Sequence, residues 1–330
     1  MEVFKMFGKK SRKILGMISQ VLVIVVLVTS IAFANSETYT VQPGDSLIKI
    51  GAELGINWRD LAEYNNIKDV RKIYIGEVLR LGPAYTTKDF NEQLVMATLW
   101  MQTAAEYKAI CYQTFNLARM LVDKKLAEGI SVKPLAIVVD CDEAVIDNSA
   151  YQAGLIGTDN AYSSKTWDPW MQAAEAKAIP GAAEFLNYAH EQGVETFYVT
   201  NRKIAPGYEG TMKNLLDLEF PNVDEKHLML RTDTSNKQPR RDMVLEEYEV
   251  IFYLGDNCND FSEDYYHASL EERNAAAEAD KDKFGIEFIV LPNPTYGDWD
   301  GAIFEFNWGA TLEEKDAYRK NALERWVVGD

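Results

Sequence analysis

Cysteine and histidine are the scarce residues of this chain, three of each in 330, and their scarcity removes whole classes of chemistry. Three thiols cannot all pair, so the fold does not rest on a disulfide scaffold. His190, His227 and His267 show no metal-ligand spacing, which disfavours zinc and a histidine-based phosphoryl transfer. The chain also lacks a G-x-S-x-G elbow, a Walker loop, internal repeats and low-complexity tracts. Excess positive charge is missing as well: 34 basic residues face 51 acidic ones, for a net charge of −17. Such a balance excludes nucleic acid polymers as partners and leaves no global attraction to steer anionic ligands inward. Hydrophobic residues, at 47%, suffice for a sizeable core.

Against that background one stretch stands out, PLAIVVDCDEAVIDNS at 134–149. An apolar run rich in Val and Ile ends in two acids one residue apart, Asp140 and Asp142. Strands flanked by helical patterns build open parallel sheets, whose chemistry lies beyond the carboxyl ends of the strands. Downstream, ETFYVTNRK, TSNKQPRR and VIFYLGDNCNDF repeat the grammar of apolar strand and polar terminus. They supply Thr200, Lys237, Asp256 and Asp260 in turn. Acid, hydroxyl, amine and acid therefore follow one another at expected strand ends.

This order is similar to the four motifs of the haloacid dehalogenase superfamily. The wording DCDEAVIDNSAY, YVTNRK, GDNCNDF and LPNPTYGDW resembles that of its class C acid phosphatases, a group that includes exported 5'-nucleotidases, over roughly residues 89–330. The resemblance implies an α/β fold, a HAD-like Rossmannoid parallel sheet with helical flanks and a small cap. It makes Asp140 the nucleophile that forms an aspartyl phosphate, and Asp142 the general acid and base. A phosphate dianion approaching Asp140 is repelled, since unit charges about 4 Å apart interact by roughly 4 kcal/mol at an effective dielectric of 20. Cations must offset this. Asp140, Asp256 and the backbone carbonyl of Asp142 are expected to hold Mg²⁺, with Asp260 steadying the shell. Lys237 and the Thr200 hydroxyl address the phosphate oxygens. Asn201 and Arg202 border the same pocket, Arg202 as a bidentate phosphate ligand. Arg240 and Arg241 read as solvated residues of a helix's first turn.

Substrate preference is expected from Trp167 and Tyr296, whose faces would stack on a nucleobase, whereas Trp170 reads equally well as packing. The segment between Asn148 and Ala178 is where relatives of this superfamily carry a cap. Cys141 and Cys258 read as small buried hydrophobes on neighbouring strands.

The chain opens with Lys5, Lys9, Lys10, Arg12 and Lys13, then the apolar run around VLVIVVLV, then Ala32-Phe33-Ala34. Residues 1–34 thus read as an export signal cleaved after Ala34; left uncleaved, the run is long enough to anchor the chain in a membrane. No cysteine lies near the site for a lipid tether. Residues 35–82 read as strand, helix, helix, strand, with Asp45 or Ser46 capping the first helix and Gly55 ending it. YTVQPGDSL, WRDLAEYNNI and IYIGEVLRL resemble a LysM module, a small α+β domain that binds N-acetylglucosamine glycans, usually peptidoglycan. A linker is expected at 83–88. Helices are expected over 90–126, over 180–192 between Pro180 and Gly193, and over 311–326 behind a Thr311–Glu314 capping box.

The expected function is therefore a Mg²⁺-dependent phosphatase in the cell envelope or wall, acting on phosphate monoesters such as nucleoside monophosphates outside the cell. A phosphotransferase using the same aspartyl phosphate, and an inert peptidoglycan-binding envelope protein, are the alternatives. The second has no chemical reason to keep Asp140, Asp142, Thr200, Lys237 and Asp256 together.

Overall fold

The computed structural model describes residues 38–129 and 131–326. The expected export signal lies outside the described residues. Among the described residues no helix is long and apolar enough to cross a membrane. The chain divides into two units between Ala84 and Tyr85.

The first unit pairs β1 (Thr38–Thr40) antiparallel with β2 (Val78–Arg80), with helices Leu47–Leu54 and Trp58–Tyr64 between them in sequence. Ser46 caps the first helix by accepting from the Lys49 amide, and Gly55 ends it in the left-handed region. Val41, Leu47, Ile50, Leu61 and Leu79 form its core.

The second unit begins earlier than the expected linker allows. Thr86 and Asp89 form a reciprocal capping box that starts a helix at Thr87. The helical stretch that follows is not continuous. Ala104 takes an extended backbone between helices Val95–Thr103 and Ala105–Ala127, and Trp100 meets Tyr107 edge to face across the break.

The sheet of this unit comprises β3 (Leu135–Val139), β6 (Glu195–Lys203), β7 (Leu228–Arg231), β8 (Glu249–Gly255) and β9 (Phe288–Val290), in the order β7-β6-β3-β8-β9. Every neighbouring pair is parallel. Side-chain alternation divides it into two faces. Ile137, Val139, Tyr198, Phe252 and Leu254 pack with helices Ala105–Ala127 and Ala182–Glu191. Ala136, Val138, Phe197 and Val199 pack with Val244 and Tyr248 on the other side. Both faces are covered, which is why the strands read as continuous apolar runs rather than alternating ones.

From β3 the chain runs outward through β6 and β7, then returns to β8 on the opposite side of β3. A reversal of strand order of this kind opens a crevice at the carboxyl ends. A two-stranded sheet of β4 (Ile146–Asp147) and β5 (Lys177–Ala178) closes off the expected cap insert, which carries helices Ser149–Leu155 and Ser164–Ala173. The second of these approaches helix Ile204–Asp217 so closely that a Cβ on Gly210 would overlap the Met171 carbonyl.

Candidate active site

Asp140 and Asp256 sit just beyond strands at the crevice, and Thr200 lies within β6, ahead of its last residue Lys203. Asp140 follows β3, and its amide donates to the Leu254 carbonyl of β8 at 2.8 Å. Asp256 follows β8, and Asp260 closes a 3₁₀ turn over Cys258–Asp260. Gly255 makes that turn feasible, because a Cβ there would collide with the Asp260 carboxylate. Lys237 caps the helix Gln238–Glu247 that follows β7.

Folding brings these together. Carboxylate oxygens of Asp140, Asp256 and Asp260 lie within 4.8 Å of one another. Buried Lys237 places Nζ 2.5 Å from Asp140 Oδ1 and 2.7 Å from Asp260 Oδ1. Beyond this ion pair Asp140 Oδ1 is buried without a hydrogen bond. Burial, opposed by Lys237 and reinforced by Asp260 and Asp142, pushes Asp140 up to about 7. Burial and the charges of Asp260 and Asp140 likewise hold Asp256 well above the usual carboxylate range. Lys237 is raised by its two carboxylate partners in spite of burial. Three hard oxygen donors thus share one ammonium and the Asn293 amide, which donates to Asp256 Oδ2 at 2.8 Å. This excess of buried negative charge fits a divalent cation.

Asp142 stands apart from the cluster, and its carboxylate is held by other groups. Arg202 grips it through Nη2–Oδ1 at 2.7 Å and Nε–Oδ1 at 2.9 Å, and Asn148 Nδ2 donates to Oδ1 at 2.8 Å. Arg202, expected to meet phosphate, lines the cleft and here lies on the Asp142 carboxylate. Its fork is spent on Asp142, with Asn148 Oδ1 and Thr211 taking further donors, because a fully buried guanidinium needs its charge balanced within the protein.

Thr200 is fully buried, and its hydroxyl accepts from the Arg202 amide. Asn201 reaches the cleft, yet its amide donates to the Ser235 carbonyl and its oxygen accepts from Arg240. Arg240 and Arg241 are not solvated as expected. Arg240 ties the Thr200 carbonyl to Asn201, and Arg241, 1% exposed, donates to the Asn259 carbonyl in the acidic turn. One helix start thereby braces the end of β6 and the turn after β8.

The cleft encloses about 640 Å³ and is lined by Asp140, Asp142, Lys237, Asp256, Trp167 and Tyr296 among others. Trp167 comes from the cap helix, 5.0 Å edge to face from Tyr151, and the Arg202 guanidinium lies 5.5 Å from its ring. Trp170 is a packing residue, donating to Asn148 Oδ1 at 2.8 Å. Sequence reasoning missed Tyr162, Tyr266 and His267 in the wall; single aromatics in loops carry no periodic signal. It also missed Glu143, fully buried, which accepts from the Asn148 amide at 2.8 Å and from the Tyr296 hydroxyl. Burial and the nearby charge of Asp142, against the hydrogen bonds of Tyr296 and Asn148, push it up to about 8. Its signal was an acid between Asp142 and the apolar run AVI, easily taken for solvent-facing. All three cysteines are free, Cys141 and Cys111 buried and Cys258 partly so.

A parallel sheet that gathers three carboxylates and an ammonium at its switch point is the arrangement of a HAD-like fold. Comparison with known proteins gives the finer class. Residues 82–299 match the family model of the HAD superfamily, subfamily IIIB (acid phosphatase), and residues 39–82 match the LysM domain model. The class C acid phosphatase from Bacillus anthracis is 39% identical in its solved structures, one of them with tungstate bound, and superposes with a TM-score of 0.69. The match covers 72% of this chain and 99% of that one. The chain belongs to the HAD subfamily IIIB acid phosphatases, with a LysM domain before the catalytic unit, and is a phosphoric monoester hydrolase.

Proposed function

We propose that the protein is an exported, wall-attached, Mg²⁺-dependent acid phosphatase that strips phosphate from nucleoside monophosphates and similar monoesters. The observation that carries this is the meeting of Asp140, Lys237, Asp256 and Asp260 at one strand-end crevice. In this reading the Asp140 carboxylate attacks phosphorus, forming an aspartyl phosphate as the ester oxygen leaves. Asp142, oriented by Arg202 and Asn148, gives that oxygen a proton. It then takes one from the water that hydrolyses the intermediate. Lys237 offsets the charge of the incoming phosphate beside Asp140. Asp140, Asp256, Asp260 and the backbone carbonyl of Asp142 would hold Mg²⁺, which supplies charge neutralisation at the phosphoryl oxygens.

Trp167 and Tyr296 favour an aromatic leaving group, since stacking contributes about 1–3 kcal/mol per base and tolerates any base. The basic head, apolar run and Ala32-Phe33-Ala34 support export, and the LysM domain supports retention on peptidoglycan. Dephosphorylation outside the cell turns charged nucleotides into nucleosides and phosphate that can be taken up. The test is phosphate release from a monoester panel with Mg²⁺ or a chelator, beside Asp140→Asn. Loss with chelator and with the substitution is expected; a variant as active as wild type removes Asp140 as nucleophile. Retention of the chain on purified peptidoglycan checks the wall attachment.

A further inference from the structure

Glu143 takes no part in the chemistry just described, yet it is fully buried behind the cleft wall, against Asn148 and Tyr296. Its backbone lies in the left-handed region at φ 56°, which is strained for a residue with a Cβ. The surroundings hold it there: the Glu143 amide donates to the Ile146 carbonyl at 2.9 Å. This turn aims the carboxylate inward, where it accepts from three donors. The Asn148 amide reaches Oε1 at 2.8 Å, Asn148 Nδ2 reaches Oε2 at 3.2 Å, and the Tyr296 hydroxyl also reaches Oε2.

These bonds join two parts of the cleft far apart in sequence. Asn148 Nδ2 also donates to Asp142, so one branch ends on the acid-base carboxylate. The other branch ends on Tyr296, a cleft wall 153 residues away. A tyrosine ring has two soft torsions, and a hydroxyl anchored on a rigid buried carboxylate removes that freedom before a ligand arrives.

We propose that Glu143 is a positioning residue that locks the Tyr296 ring as a preformed stacking face and couples that face to the Asp142 loop. The anchored ring raises preference for monoesters with an aromatic body over those with a small alkyl body. This rests on the phosphatase reading and on an aromatic leaving group beside Tyr296.

The test compares kcat and KM for adenosine monophosphate and for glycerol phosphate in wild type, Tyr296→Phe, Glu143→Ala, Glu143→Gln and the Glu143→Ala/Tyr296→Phe double variant. Tyr296→Phe keeps the ring and removes only the anchored hydroxyl. We expect the ratio of kcat/KM for the nucleotide over glycerol phosphate to fall about tenfold, carried by KM, as for a lost hydrogen bond to a charged group. Glu143→Ala should lower the same ratio, and the double variant should lower it no further than the single ones. Glu143→Gln should restore much of it, because its amide oxygen can still accept from the Tyr296 hydroxyl. Should Glu143→Ala fail to fold, Tyr296→Phe still decides the matter. An unchanged ratio in Tyr296→Phe, or additive losses in the double variant, overturns the latch while leaving phosphatase activity intact. Absence of hydrolysis by wild type overturns the functional reading instead.

Discussion

The two ends of one parallel sheet handle charge in opposite ways. At the carboxyl ends of β3 and β8 three carboxylates crowd around a single ammonium, and burial pushes Asp140 and Asp256 up. At the amino ends of β6, β7 and β8 the accounts close within the protein. His227 Nδ1 lies 2.7 Å from Asp224 Oδ1, and Nε2 lies 2.8 Å from Glu195 Oε2. Tyr248 donates to the same Glu195 oxygen at 2.7 Å, and Lys226 bonds the Tyr248 hydroxyl. Phe197 and Tyr248 pack against each other beside this cluster, so it seals one edge of the core. A charge partnered within the chain needs no further ligand, whereas buried carboxylates short of partners mark a place for one.

The comparison breaks most readily at the mouth. Replacing Lys237 by Met should reduce kcat/KM for a phosphate monoester by about 10²–10³-fold, the scale for removing a preorganised charge at a developing anion. Steady-state phosphate release checks this, and a loss under threefold would mean that the ammonium serves folding only. Next in size is the effect of the cation on stability. Protein stripped with chelator should melt lower, and Mg²⁺ at a hundred times its dissociation constant should add about 2.7 kcal/mol. Scanning calorimetry with and without Mg²⁺ reads it. An unchanged melting temperature would show that the acidic cluster is not a cation site.

Much of the mouth was legible in the sequence because strand ends are marked twice, by the apolar run and by the polar residue that stops it. Asp140 and Asp256 fall at strand ends in that manner, whereas β6 runs past Thr200 and covers the whole segment ETFYVTNRK. The partners of the motif residues were not legible. Arg202 was given to phosphate and lies on Asp142; Arg240 and Arg241 were given to solvent and brace the end of β6 and the turn after β8. Each choice depends on what faces a long side chain across 18 to 60 residues of sequence, and one chain's local pattern does not encode that. Helix ends fared better where a capping box fixed them, as at Thr311 and Glu314. The break at Ala104 carried no proline or glycine to announce it.

The far end supplies the smaller effects. His227→Ala leaves Glu195 and Asp224 without their shared partner and should cost about 1–3 kcal/mol. For a unit of this size that lowers the melting temperature by roughly 2–4 °C per kcal/mol. Activity should stay within about twofold, since separated sites add independently. A variant that loses activity with its fold and melting temperature intact would show that the two ends are coupled.

The smallest effect is a pH slope, and its sign follows from Glu195. Burial raises the Glu195 carboxyl, but hydrogen bonds from His227 and Tyr248 and the charge of Lys226 outweigh it, so the folded value lies below the ordinary 4.5. A depressed acid contributes stability that is present above its unfolded value and disappears as pH falls through the folded one. Asp224, lowered by His227 against burial, acts in the same direction. The contribution of Glu195 to the melting temperature should therefore fade as pH drops below about 4.5, the unfolded value of the group. Glu195→Gln should melt lower at neutral pH and show a flatter profile through that acid window. Because Glu195 is a third exposed, screening keeps the difference small. Equal slopes in the two proteins would mean that the far end's charges, although paired, contribute nothing to acid resistance, and the contrast with the mouth would then rest on geometry alone.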